Sequence, residues 1–289
     1  VFEWIPAYQR FLLDVTLIDI ILVISLLILF QCGLFSMATA GFAAIGGYTS
    51  ALLVTDADWP VPLGILAAVF VGATLAVSFG LPVLRLRGIY LALGSLALAQ
   101  VIVIGIANVG FTNGVFGISG IPTEVTTGWL VAIVAVILLV MELIHRSHFG
   151  RAMKAIRLDE HTAAGLGINV FAYRMATFGI GGAMAAMAGA LEAHRTAVIS
   201  PDQYDFGLLV VLLTYMFVGG VEHWLGPVLA TIGFRILNEN LEFAGTDWEN
   251  FYYGSILVVV MLLAPDGLTS RRFTQRLARI FRRRPDLAT

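Results

Sequence analysis

Nine stretches of this chain are apolar for long enough, or nearly long enough, to cross a lipid bilayer, and nothing else in the sequence restricts the fold as much. They run from Thr16 to Phe30, Leu34 to Val54, Val61 to Leu84, Ile89 to Ala107, Trp129 to Ile144, Val170 to Ala190, Phe206 to Val221, Leu225 to Leu241 and Phe251 to Ala264. A helix needs about 20 such residues to span the hydrocarbon. In that medium only a helix bonds every backbone group within one segment. The predicted class is therefore all-α, a polytopic membrane protein of about nine transmembrane helices in a single transmembrane domain over residues 1–289. Composition agrees: with 59% hydrophobic and 12% charged residues, a soluble domain of 289 residues would lack the charge to cover its surface. Cys32 is the single cysteine, so no intrachain disulfide can form.

The basic residues predict the orientation. If the segment after Ala264 is cytoplasmic and each window crosses once, the inner surface holds Arg85, Arg87, Arg146, Arg151, Lys154, Arg157, Arg174 and seven arginines between residues 271 and 284, which makes 14 of the 17 basic residues. Arg10 and Arg195 fall outside, and Arg235 lies within a window. The reverse orientation breaks the positive-inside rule. The expectation is an outer N-terminus and an inner C-terminus, with the basic tail 268–289 resting on anionic lipid rather than on nucleic acid. Small residues crowd the second and sixth windows, for example Gly46 and Gly47, or Gly182 and Gly189. Such faces let helix backbones approach closely where no hydrophobic effect drives association.

The longest basic interruption is His148 to Val170, which this arithmetic places inside. Residues 151–158 read as a helix with Arg151, Lys154 and Arg157 on one side and Met153 and Ile156 on the other. Asp159 then caps a second short helix, Glu160 to Ala164, which Gly165 and Gly167 end. An element of this size exceeds what joins two crossings. Its composition favours docking into a protein cleft, with Met153, Ile156 and alanines as the apolar side, over lying on lipid headgroups.

The stretch GRAMKAIRLDEHTAAGLGINV resembles the cytoplasmic coupling loop of permease subunits in the branched-chain amino acid family of ABC importers. Three further stretches match that family in order: FSMATAGFAAIGGYTSALL; LRLRGIYLALGSLALAQV with TNGVFGISGIP; and ISPDQYDF with GGVEHWLGPVLAT. Length and the GISGIP segment are similar to the larger permease of the heterodimeric pair. The sequence departs from the family at Glu222 and His223, where glycine and serine or threonine are common.

The resemblance implies a multi-pass protein of the bacterial inner membrane that forms half of a path for branched-chain amino acids with a second, homologous permease. It implies two cytosolic ATPases on a coupling loop spanning residues 148–169, with Gly150, Arg151, Lys154, Ala155, Arg157, Asp159, Glu160, Gly165 and Gly167 at the coupling site, and a periplasmic binding protein that delivers the ligand. ATP would be bound by the partner subunits and no cofactor by this chain. The residues permit that division: the sole lysine, Lys154, is followed by Ala155, so no P-loop can form. Urea or a short amide as cargo stays open, as does a stand-alone secondary transporter. The latter expects ion-coupling carboxylates in mid-membrane, and well-placed ones are not evident.

Polar residues within the windows are the candidates for a translocation path: Gln100, Thr214, Tyr215, Arg235 and Glu239. Arg235 and Glu239 stand four apart and are expected to pair within their helix. Glu142 and His145, near the inner end of the fifth window, are expected to face water or the coupling interface. Enzyme chemistry is not expected. Gly117-Ile118-Ser119-Gly120 matches a short nucleophile pattern, but Ser119 falls in an outer loop and none of the five histidines is expected deep in a crossing to serve as base. Paired cysteine or histidine ligands at zinc spacing are absent from the sequence.

Overall fold

The computed structural model describes residues 6–241 and residue 255, and eight of the nine predicted windows fall on helices in that range. The ninth, Phe251–Ala264, lies outside the described residues apart from Ser255, as does the whole tail 268–289. In chain order the helices are α1 (Ala7–Gln31), α2 (Thr39–Thr55), α3 (Val61–Val83), α4 (Ile89–Asn108), α5 (Thr127–Arg146), α6 (His148–Leu158), α7 (Glu160–Gly165), α8 (Val170–Thr196), α9 (Phe206–Gly219) and α10 (Leu225–Leu241). Five of them, α1, α3, α4, α5 and α8, are long and apolar enough to cross a membrane. The 17 residues of α2 and the 14 of α9 are shorter. At 1.5 Å per residue α9 reaches about 21 Å, less than the roughly 30 Å of hydrocarbon.

Two boundaries differ from the sequence expectation. The second window begins at Leu34, yet α2 starts only at Thr39, because the preceding residues turn and the Met37 N–H donates to Ser95 Oγ on α4 (2.8 Å). The sixth window ends at Ala190, whereas α8 continues to Thr196 and so carries Glu192, His194 and Arg195 on a helix.

Helix α1 is apolar around its whole circumference, the pattern of a helix enclosed on all sides. Every residue from Ile20 to Leu29 is at most 3% exposed, because α5, α8, α9 and α10 surround it. Beside it, α2, α3 and α8 pack at close range through small residues. A Cβ added at Gly46 of α2 would lie 2.0 Å from the Ala186 carbonyl oxygen of α8, and one at Gly189 of α8 would lie 1.9 Å from that of Ala43 on α2. The outward faces are apolar instead of charged: Phe70, Val101 and Leu139, on α3, α4 and α5, are each at least 60% exposed. Apolar belts of this extent belong in lipid rather than water.

Helices alternate in direction, so the chain presents two distinct ends. One collects the ends of α5 and α9, the starts of α8 and α10, the α3–α4 turn and the α6–α7 hairpin. The other holds a two-residue antiparallel ladder, β1 (Ile118–Ser119) with β2 (Val198–Ile199), in the register Ile118 to Ile199 and Ser119 to Val198. Two-residue strands carry no periodicity that a sequence reading can detect.

Candidate functional site

The α6–α7 hairpin forms as its local chemistry dictates. Ser147 Oγ accepts from the Gly150 N–H (3.2 Å) and caps α6. Asp159 Oδ1 accepts from the N–H groups of His161 (2.8 Å) and Thr162 (3.1 Å), and its Oδ2 from the Thr162 hydroxyl (2.9 Å). These bonds, the Thr162 N–H foremost, hold the Asp159 carboxyl below the usual carboxylate range. A depressed folded-state pKa means the cap's contribution is present above the ordinary aspartate value and is lost only as pH falls through the lower one. The hairpin is therefore expected to keep its amide protection from neutrality down to about pH 4. Replacing Asp159 with alanine should speed hydrogen exchange at His161 and Thr162 while leaving α8 amides unchanged.

Helix α7 ends at Gly165, and the paired bonds Ile168 N–H to Ala163 O (3.1 Å) and Gly167 N–H to Ala164 O (2.9 Å) close it. Gly167 adopts φ +84°, the left-handed conformation this cap requires. Gly150 is where α6 meets the end of α5: an added Cβ would stand 2.2 Å from the Ile144 carbonyl oxygen. Gly165 has no such neighbour.

The expected apolar docking side is corrected by the structure. Met153 and Ile156 are 1% and 2% exposed and pack into the chain's own core, with Ala155 half-buried beside them. They anchor the hairpin and are not available to a partner. What faces outward is Arg151, Lys154 and Arg157, together with Leu158 and Leu166, which are 87% and 76% exposed. No periodicity marked those two leucines, since each sits at a helix end where the repeat stops.

Glu160 holds the hairpin to the helix bundle. Its carboxylate meets Arg174 of α8 (2.7 Å) and Arg87 of the α3–α4 turn (3.5 Å). Replacing it with glutamine should cost about 1 kcal/mol, as for a partly exposed pair, read as faster exchange over residues 160–168. On the other side, Lys154 Nζ donates to His145 Nε2 (2.9 Å), Arg151 Nη1 donates to the Arg146 carbonyl (2.9 Å) and Arg157 reaches the Val221 carbonyl (3.4 Å). Glu142 accepts from Trp224 Nε1 (2.8 Å) and pairs with Arg146, with His223 at 3.5 Å. Glu142 and His145 thus lie at the junction of the hairpin and the α9–α10 turn, and His223, at the family departure, is part of it.

The path candidates are not brought together as one group. Gln100 is half-buried on α4, which packs on α2; Thr214 and Tyr215 are buried on α9, which packs on α10. Thr214 spends its hydroxyl on the Val210 carbonyl within its own helix (2.8 Å). Arg235 has a partner on another helix, donating through Nε (2.9 Å) and Nη2 (2.7 Å) to Asp19 Oδ2 of α1. The side chain of Glu239 lies outside the described residues.

Three acids, Asp14 and Asp19 buried and Glu192 half-buried, escaped the sequence reading. Asp19 sits inside the first window, Asp14 two residues before it and Glu192 two residues past the sixth. Asp14 pairs with Arg195, Asp19 with Arg235, and Glu192 accepts from the Tyr204 hydroxyl (3.1 Å). An ionisable residue within an apolar window was the available signal. One histidine is also deeper than expected. His194 is fully buried, with Nδ1 3.0 Å from the Pro122 carbonyl and Nε2 2.8 Å from Ser50 Oγ. A carbonyl only accepts, so Nδ1 carries the proton and the Ser50 hydroxyl donates to Nε2. Enclosed in this way, the pair ties α2, α8 and the loop before α5 together and offers no surface to a substrate.

A family model described as the branched-chain amino acid transport system permease component matches residues 10–264. The high-affinity branched-chain amino acid transport permease LivM of Escherichia coli K12 is 30% identical over 275 residues, covering 82% of this chain and 64% of that protein. The permease LivH of the same organism is 29% identical over 154 residues, 53% of this chain and 49% of that one. Its ribose import permease RbsC is 29% identical over 170 residues, 54% and 51% respectively. The chain therefore spans 64% of the length of the LivM protein. No solved structure gives a significant match.

Proposed function

We propose a function from one established premise: this chain belongs to the family of permease components of branched-chain amino acid transport systems. On this reading it forms half of the translocation path of an ATP-binding-cassette importer, beside a second, homologous permease. Two cytosolic ATPases engage the α6–α7 hairpin, and a periplasmic protein delivers leucine, isoleucine or valine. The chain crosses the bacterial inner membrane about nine times, with the hairpin and the C-terminus in the cytoplasm.

The hairpin is the observation that carries the reading. It is capped at both helix starts, anchored by buried Met153 and Ile156 and clamped through Glu160, yet it presents Leu158, Leu166 and three cationic side chains to the outside. An element rigidly joined to the ends of α5 and α8 transmits a push to both helices. Closure of the ATPases moves the hairpin, and α5 and α8 move the gate with it.

Gentle purification from native membranes tests the proposal. Two ATPase subunits and a second permease should co-isolate, and uptake of branched-chain amino acids by the reconstituted assembly should require ATP. Uptake by the lone chain in an ion gradient would sink the importer and establish a secondary transporter. The buried acids are the observation on that side, but Asp14 and Asp19 are already neutralised by arginines. RbsC is named for ribose import, so the cargo is identified by the ligand the co-isolated delivery protein binds.

A further inference from the structure

Between the hairpin and the membrane-spanning helices lies a cleft of about 430 Å3 that the coupling role leaves unused. Arg85, Arg87, Arg174, Glu160, His161 and Phe171 contribute to its walls. Three guanidinium groups face one carboxylate there, an excess of two positive charges. Glu160 engages Arg87 and Arg174. Arg85 has no ion-pair partner among the described residues, and Arg174 Nε is buried without a hydrogen-bond partner.

Phe171 is shared with a second cleft of about 680 Å3 between α3 and α8, whose other walls include Ala73, Val77, Met175, Ile180 and Ala183. That groove is apolar along its length. From Phe171 to Ala183 the twelve residue steps rise about 18 Å, comparable to one leaflet of a bilayer whose hydrocarbon is about 30 Å thick. A basic pocket at the end of the spanning helices thus opens, across one aromatic ring, into an apolar groove as deep as one leaflet.

We propose that the two clefts together bind one anionic phospholipid, its phosphate on Arg85, Arg87 and Arg174 and an acyl chain in the α3–α8 groove. Arginine forks match phosphate oxygens in geometry and charge, and basic pockets between helices at a membrane face take anionic headgroups. A soluble anion would fill the pocket and leave the groove empty, so the pairing of the two clefts selects a lipid. Because Glu160 shares two of these arginines, the bound headgroup lies against the anchor of the hairpin. The inference does not rest on the coupling role.

Native mass spectrometry of the full-length chain, titrated with phosphatidylglycerol and phosphatidylcholine of matched acyl chains, is the test. Phosphatidylglycerol should occupy one site with at least tenfold preference. Arg85→Gln with Arg87→Gln should weaken it about 25-fold, roughly fivefold for each arginine. Arg85→Gln alone breaks no ion pair among the described residues and should still weaken it about fivefold if the double variant misfolds. Ala176→Trp, which fills the groove, should also release the lipid. Equal affinity for the two lipids, an undiminished preference in the arginine variants, or full displacement by inorganic phosphate would overturn the proposal.

Discussion

Glutamate at both Leu158 and Leu166 should leave the chain folded and inserted but unable to hold the ATPases that we propose dock on the α6–α7 hairpin. The two leucines add nothing to the core, being 87% and 76% exposed, so no packing is lost when they change. At a docking interface a central apolar anchor is worth about 2 kcal/mol or more. Losing two lowers affinity on the order of a thousandfold, and ATP-driven uptake should fall with it. Charge reversal at Arg151 and Arg157 should act differently, slowing association and altering its dependence on salt more than the lifetime of the complex. Met153→Asp is the informative contrast. That side chain is 1% exposed, so the substitution should loosen the hairpin itself and raise exchange across α6. Full ATPase binding by the double leucine variant would place the docking surface elsewhere.

Alanine at Gly189 should cost about 3 kcal/mol, the upper range for overpacking, and lower the unfolding midpoint in detergent by on the order of 10 °C. The reason is reciprocal. Its Cβ would sit 1.9 Å from the Ala43 carbonyl oxygen, and the Cβ of an alanine at Gly46 would sit 2.0 Å from that of Ala186. In both cases the obstacle is backbone, which no side-chain rotation relieves. Either substitution separates α2 from α8, so the two losses are expected to fall short of additive when combined, since one separation makes room for both. Gly105 on α4 is the control. Nothing lies within 4 Å of a Cβ there, so Gly105→Ala should be neutral or stabilising by up to about 1 kcal/mol. Equal midpoints for the Gly189 and Gly105 variants would refute the close-crossing account.

What the sequence made legible is what short-range chemistry determines. Apolar length located eight described helices, and the Asp159 cap follows from a carboxylate placed just before two free N–H groups. Gly167 follows equally from the need for a left-handed residue after α7. Long-range pairing is a different matter. The expectation for Arg235 considered Glu239, four residues away, whereas Asp19 reaches it across 216 residues of chain. Met153 and Ile156 were placed on the correct face of α6, but a helical period says which residues share a face and not whether that face meets the chain's own core or a partner. The β1–β2 ladder and the enclosure of His194 likewise depend on loops meeting in space.

The burial of α1 has a consequence for how the protein is made. Asp14 is translated 181 residues ahead of Arg195, and Asp19 216 residues ahead of Arg235. At about 5–20 residues per second, each carboxylate waits on the order of 10–40 s before its guanidinium leaves the ribosome. For much of that interval the first helix lacks most of the neighbours that later enclose it, since α8, α9 and α10 all follow residue 169. The nascent segment must therefore be sheltered by the insertion machinery, or remain near the aqueous boundary, until the second half of the polypeptide arrives.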